Sequence, residues 1–328
     1  MARRLSVTVE RFPLAADFTI ARGSKTEAVV VVASMAEGQI AGHGECVPYA
    51  RYGESVKSVT NAIEAVRDAI EAGAGREALQ RLMPAGAARN AVDCALWDFE
   101  AKTSGRSVAE TVCATPPRPL ETAYTISLGT PEEMATATRA ASGRGLLKIK
   151  VGGSHGDIDR IRAVHAAARG ARLILDANEG WTADTIRQNM LAAAAAGAIL
   201  VEQPLPVGQD AILAEIPHPV PVCADESLHA TSDLASLVGR YDFVNVKLDK
   251  TGGLTEALTL VREARVHGFG VMVGCMVASS LAMAPAVLLG QEADIVDLDG
   301  PLLMKADRRH GLVYSLATVS PPISLLWG

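Results

Sequence analysis

The first 50 residues alternate apolar and polar positions, as in Leu5-Val7-Val9, or run apolar, as in Ala28 to Ala33. Alternation of period two marks strands with one covered face, so this part predicts a β-meander. Between its strands, Phe18 to Lys25 reads as a mobile loop with Gly23 as its hinge. The pattern then changes. Residues 55–83 carry a helical period, with Ala62, Ile63, Val66, Ile70, Leu79 and Leu82 on one face, and Pro84 with Gly86 ends it. A second helix is predicted over Ala88 to Lys102, with Val92, Ala95, Leu96 and Phe99 apolar and Gly105 as the stop. Asp93, Trp97 and Asp98 on it read as packing and helix-surface residues. Ser107 and Glu110 have capping-box spacing and open one more short helix. Thr115-Pro-Pro-Arg-Pro119 reads as a linker.

From residue 122 onward, short apolar runs alternate with Ala-rich helical segments. Eight strands are predicted: 122–127, 145–151, 173–176, 199–202, 220–224, 243–247, 269–274 and 295–298. Helices are predicted over 157–168, 185–196 and 254–267. Strands separated by single helices form parallel sheets. The predicted fold class is therefore α/β: a modified (β/α)7β or (β/α)8 TIM barrel, with an α+β N-terminal capping domain. The expected boundaries are 1–115 for the cap and 120–304 for the barrel, with a tail at about 305–328.

The ends of these strands carry charge. Lys148 and Lys150 are two apart in Leu-Lys-Ile-Lys-Val-Gly-Gly, so on a strand they share one side of the sheet. Asp176, Glu202 and Asp225 follow at 26 and 23 residues (176 to 202, 202 to 225), then Lys247, and finally Asp297 and Asp299. Charged groups at the carboxyl ends of successive parallel strands all face one mouth of a barrel, where such enzymes keep their chemistry.

With the motifs Leu-Asp-Ala-Asn (175–178), Val-Glu-Gln-Pro-Leu (201–205), Ala-Asp-Glu-Ser (224–227) and Asp-Leu-Asp-Gly-Pro (297–301), the chain resembles the enolase superfamily, in its muconate-lactonizing subgroup, and within it the dipeptide epimerases. The resemblance covers nearly the whole chain, from Ile-Ala-Arg-Gly (20–23) onward. It implies epimerisation of a dipeptide, L-Ala-D/L-Glu, at its C-terminal residue, with a role in murein-peptide recycling. It also implies that the loop around Arg22 closes over the site and that Arg22 forks onto the substrate's glutamate side chain. It makes Lys150, the second lysine of its pair, a base. The tail is expected to pack on the N-terminal domain.

This chemistry needs these residue types. Removing a proton beside a carboxylate builds charge on carbon next to an anionic group. A divalent cation can absorb that charge as an enediolate, and a base must reach the proton. Asp176, Glu202 and Asp225 offer three hard oxygen ligands, which suit Mg²⁺; Mn²⁺ can substitute. Glu226, beside Asp225, would point away on an extended strand. Lys150 and Lys247, from strands two and six, lie on opposite sides of an eight-stranded ring and would act on opposite faces of the carbon. The cation and the second lysine should depress the base's pKa toward neutrality. Lys148 is expected beside the substrate carboxylate. Asp297 and Asp299 point the same way and would grip an ammonium, resembling the acidic pair by which dipeptide epimerases hold a free amino terminus. Thr125, Cys275 and Met276 are expected to contact substrate. Glu45 reads equally as a site residue or as part of a turn.

Composition narrows the partners. The chain has 328 residues, with 31 Lys plus Arg against 37 Asp plus Glu, giving a net charge of −6. This mild acidity argues against a nucleic-acid surface. No apolar run reaches the 18 residues of a membrane span, and the N-terminus lacks a signal-peptide core, so a cytoplasmic address is expected. Five cysteines with no Cys-x-x-Cys pair suggest neither a disulfide framework nor a zinc site. The expected partner is a small dipeptide; family members are often homo-oligomers. Other readings are an N-succinyl amino acid racemase, an o-succinylbenzoate synthase or a cycloisomerase of the same superfamily. A Schiff-base aldolase barrel and a metal-binding scaffold are further alternatives.

Overall fold

The computed structural model describes residues 2–153 and 155–328. Strands β1 (Arg4–Ile20), β2 (Gly23–Glu37) and β3 (Ile40–Cys46) form an antiparallel sheet. The segment expected as a mobile loop is instead the tip of the β1–β2 hairpin, where Ile20 pairs with Gly23. Gly23 has φ +134°, a conformation that costs a side chain dearly and allows a tight reversal.

The amphipathic stretch that predicted one helix divides into α1 (Val56–Ala65), α2 (Arg67–Glu71) and α3 (Arg76–Leu82). Gly73, at φ +107°, turns the chain between the last two. α4 (Ala87–Ser104) follows and lies across the sheet, and α5 (Val108–Val112) opens with the predicted Ser107–Glu110 capping box. α4 can approach β3 because Gly42 and Gly44 have no side chains. A Cβ at Gly42 would strike the backbone of Phe99 and Ala95, and one at Gly44 the backbone of Ala91 and Ala95. Gly42→Ala is therefore expected to destabilise the protein by about 1–3 kcal/mol or more, because backbone cannot step aside as a side-chain end can. Urea unfolding monitored by circular dichroism measures this; an unchanged midpoint would mean that α4 shifts freely.

Asp93 and Asp98 are not surface residues of α4 as expected; both are fully buried. Asp93 accepts from the Thr255 backbone N–H at 3.0 Å, and Asp98 accepts from the backbone N–H groups of His43 and Gly328, each at 2.8 Å. Apolar periodicity is blind to acids whose partners come from distant chain.

β4 (Leu120–Glu121) precedes the barrel strands β5 (Tyr124–Ile126), β6 (Leu146–Lys150), β7 (Arg172–Asp176), β8 (Ala198–Glu202), β9 (Val222–Ala224), β10 (Phe243–Val246), β11 (Gly270–Gly274) and β12 (Ile295–Asp297). They form one parallel eight-stranded sheet in sequence order. A hydrogen bond from Ala123 N to Val296 O, 2.9 Å, links its two ends. Helices α6 (Pro131–Ala140), α7 (Asp157–Ala167), α8 (Ile186–Ala195), α9 (Leu234–Leu237), α10 (Leu248–Thr251), α11 (Leu254–Val266) and α12 (Ser280–Leu289) pack outside or between strands, and only a 3-10 turn separates β8 from β9. Among the described residues no α-helix follows β12, so the arrangement is (β/α)7β-like. β13 (Thr318–Val319) returns to pair with β4, and Trp327 donates to Cys94 O of α4 at 3.0 Å. Among the described residues, no helix is long and apolar enough to cross a membrane.

The barrel interior explains the site. A small apolar cluster of Ala123, Leu146, Ile174, Leu200, Cys223 and Met272, with Phe243 and Ile295, plugs the barrel. Side chains two positions apart on a strand point to the same face. Two residues beyond these plugs come Thr125, Lys148, Asp176, Glu202, Asp225, Asn245, Gly274 and Asp297. Burying an apolar floor thus raises a ring of polar groups above it, one from each strand except β11, where Gly274 stands.

Candidate active site

Asp176 and Glu202 are direct partners in the β7–β8 register, and Asp225 stands one residue past β9. All three are buried. Lys148, 2 % exposed, stands among them: its Nζ lies 3.1 Å from Asp176 Oδ2, 2.8 Å from Glu202 Oε2 and 2.8 Å from Asp297 Oδ2. Lys150 Nζ donates to Asp176 Oδ2 and Lys247 Nζ to Asp225 Oδ2, both at 2.6 Å.

Lys250, which sequence reasoning passed over, donates to Asp225 Oδ1 at 2.6 Å and to Asn245 O at 3.0 Å. On a continuing strand it would face away from Lys247. The chain instead turns into α10 directly after Lys247, which brings the residue three positions on back to the same acid. Asn245 was also missed; its Nδ2 donates to Glu202 Oε1 at 2.7 Å. Its signal was the position two before Lys247. Gln203 Oε1 accepts from the backbone N–H of Asp225 and Ser227 at 2.9 and 3.0 Å, tying the β8 end to the β9 end.

Burial opposes charge on Asp176, Asp225, Glu202, Lys247 and Lys250, and neighbouring charges overcome it at some of them and not at others. Burial would raise Asp176, but Lys150 and Lys148 outweigh it and hold the carboxyl below its usual range. Asp225 is likewise held below its usual range against burial, by Lys247 and Lys250. Glu202 goes the other way: burial and then Asp176 push it up. Burial lowers Lys250. Burial acts downward on Lys247, but Asp225 outweighs it and raises the ammonium.

The oxygen donors fit a hard divalent cation by type and by strand register. Among the described residues, no three Asp, Glu, His or Cys side chains are drawn together tightly enough to hold a metal by themselves. The reason is visible: Lys148 stands between the carboxylates and balances their charge. Glu202 Oε2 nevertheless lacks an aligned donor, because Lys148 lies at ion-pair distance but off the hydrogen-bond direction. A buried carboxylate oxygen without a donor is costly, which leaves this one available to a cation.

A cavity of about 800 Å³ opens above this layer, lined by Arg22, Lys150, Asp225, Lys247, Cys275 and Met276 among others. Thr125, Asp297 and Asp299 are buried and do not line it. Thr125 donates its backbone N–H to Asp299 Oδ2 at 2.7 Å. β12 ends at Asp297 and the chain then enters a 3-10 turn, with Asp299 close enough to Asp297 to feel its charge. Asp297 Oδ2 meets Lys148, while its Oδ1 is buried with no partner. Burial and the Asp297 charge push Asp299 up to about 6.

Arg22 is engaged rather than open. Its Nη2 donates to Glu226 Oε1 at 2.6 Å and to Tyr49 Oη at 3.1 Å, and its Nη1 to Asn178 O at 2.7 Å. Arg51 forks onto Glu179 at 2.8 and 2.7 Å. Glu45 resolves as a structural tie: it accepts from Ser279 N at 2.8 Å and from Arg308 Nη2 at 2.6 Å.

Residues 132–299 match the model of the enolase C-terminal domain-like family, and residues 2–112 that of the mandelate racemase / muconate lactonizing enzyme N-terminal domain. The L-Ala-D/L-Glu epimerase of Escherichia coli K12 is 46% identical over 315 residues, covering 95% of this chain and 98% of that one. The N-acetyl-D-glutamate racemase of a Pseudoalteromonas species is 45% identical, covering 91% and 95%. An enolase family member from Agrobacterium tumefaciens with homology to dipeptide epimerases, solved with sodium and L-Ala-L-Glu, superposes with a TM-score of 0.98 at 56% identity, covering 99% and 100%. Solved dipeptide epimerases at 25–26% identity hold Mg and a dipeptide. Eight parallel strands with a charged ring at their ends, an antiparallel sheet beside them and matches over both parts agree: the chain belongs to the enolase superfamily, with the two-part organisation of its mandelate racemase/muconate lactonizing enzyme group.

Proposed function

We propose that the protein is an isomerase that epimerises dipeptides at the C-terminal α-carbon, interconverting L-Ala-L-Glu and L-Ala-D-Glu. One observation carries this reading. Lys150 and Lys247 line the same cavity from β6 and β10, with three strands between them, so their ammonium groups approach its contents from opposite sides. A base on one face and an acid on the other is what inversion by proton transfer requires.

Lys150, in its neutral form, takes the α-proton from one epimer, and Lys247 delivers a proton to the other face; the reverse reaction exchanges their roles. Asp176, Glu202 and Asp225 would hold Mg²⁺ or Mn²⁺, which when bound supplies positive charge to the substrate's α-carboxylate. Lys148 adds a fixed positive charge beside that carboxylate. The unpartnered Asp297 Oδ1 would accept from the substrate's amino-terminal ammonium, with Asp299 beside it. Arg22 would exchange Glu226 for the substrate's glutamate carboxylate. Thr125 orients Asp299 through its backbone N–H, and Cys275 and Met276 wall the cavity near the amino-terminal residue.

A second reading, racemisation of an N-acylated glutamate, is favoured by the 45% identity to N-acetyl-D-glutamate racemase. Its substrate has no ammonium, so it has no use for the free oxygen of Asp297. The two readings separate in D₂O with Mg²⁺. L-Ala-L-Glu is expected to lose its glutamate α-proton signal and N-acetyl-L-glutamate to keep its own, followed by NMR. Exchange on the acetyl compound that survives Asp297→Asn selects the second reading, and no exchange on either compound removes both.

A further inference from the structure

On the β1–β2 hairpin Phe18 and Lys25 are direct register partners, so both side chains leave the same face of the ribbon. The Phe18 ring centroid lies 5.8 Å from Lys150 Nζ, so that face looks onto the site. Lys25 Nζ sits 5.1 Å from the Tyr49 ring centroid, and the Tyr49 hydroxyl accepts from Arg22. Phe18, Arg22, Lys25 and Tyr49 line one cavity with Lys150 and Lys247.

The two cations of the hairpin differ in their charge balance. Arg22 pairs with Glu226 and Glu179. Among the described residues no carboxylate comes within ion-pair distance of Lys25; its contact is the Tyr49 ring. Packing and the Arg22 charge hold its ammonium below the usual lysine range, although the side chain keeps contact with solvent. An arriving carboxylate that takes Arg22 must displace Glu226, exchanging one ion pair for another at small net gain. Lys25 is the cation whose attraction is not already spent within the fold.

We propose that Lys25 is a specificity-determining residue that reads negative charge on the side chain of the substrate's C-terminal residue, beside Arg22. This rests on the epimerase reading above. Cation and anion meet at the cavity mouth, where Lys25 is exposed, so the pair contributes on the scale of a surface ion pair.

The test compares wild type, Lys25→Met and Lys25→Arg on L-Ala-L-Glu and L-Ala-L-Gln with Mg²⁺, by α-proton exchange and by calorimetric titration. Lys25→Met is expected to lose about twofold to fivefold in affinity and in kcat/KM for L-Ala-L-Glu, through KM, with L-Ala-L-Gln unchanged. Lys25→Arg should keep the wild-type preference, and that preference should shrink as KCl is raised. Equal loss on both dipeptides, or no loss on either, overturns the assignment. A wild type that exchanges neither dipeptide sinks the epimerase reading. If it still binds the glutamate form preferentially and Lys25→Met abolishes that preference, the assignment of Lys25 stands without it. A wild type with no preference between the two forms overturns it.

Discussion

Lys150→Met and Lys247→Met are each expected to lower epimerisation by about 10³- to 10⁴-fold, the scale of a positioned acid or base. The pattern of what survives is more informative than the loss. With one lysine gone, the other still faces the α-proton of one epimer. Each variant should therefore exchange that proton in D₂O for one of L-Ala-L-Glu and L-Ala-D-Glu and not the other, and the two variants should show opposite preferences. Proton NMR on the separated epimers measures both rates. If both variants prefer the same epimer, the lysines act from one side and the two-base reading is wrong. Circular dichroism controls for folding, which is expected to hold: Asp176 keeps Lys148 when Lys150 is lost, and Asp225 keeps Lys250 when Lys247 is lost.

Asp225→Ala is expected to abolish activity and to cost about 3–5 kcal/mol of stability, because it leaves Lys247 and Lys250 buried without their carboxylate. Removing an ion from a buried pair is worse than removing the pair. Adding Lys250→Met to Asp225→Ala should therefore recover part of the lost stability, whereas two independent contacts would give additive losses. Urea unfolding of wild type, both single variants and the double variant closes this cycle. A double variant as unstable as the sum of the singles would show that Lys250 is solvated in the unpaired state and that Asp225 does not govern its charge. Activity is not expected to return in the double variant, since Asp225 also belongs to the proposed cation-binding trio.

Much of this was legible from residue order. Strand spacing placed Lys148, Lys150, Asp176, Glu202, Asp225, Lys247 and Asp297 in one mouth, and all seven are buried at the strand ends. The reason is geometric: a period of two and a near-constant strand-to-strand interval leave little freedom once the floor of the barrel must be apolar. Where the backbone leaves the strand, that logic stops. Lys250 turned toward Asp225, because a short helix replaces the extended chain directly after Lys247. The buried acids Asp93 and Asp98 were misread for a related reason: their backbone donors lie far along the chain, with Thr255 162 positions from Asp93 and Gly328 230 positions from Asp98.

Residue pattern alone determined the α/β class, the eight strands and the chemical types gathered at their ends, since these follow from local periodicity and from the need to bury one face of every element. Only the folded chain decided how the charges are paired: Lys148 among three acids, Lys250 against Asp225, and Arg22 held by Glu226. Pairing depends on distances of a few ångströms between groups far apart in sequence, and Coulomb energy in a buried site changes steeply over that range.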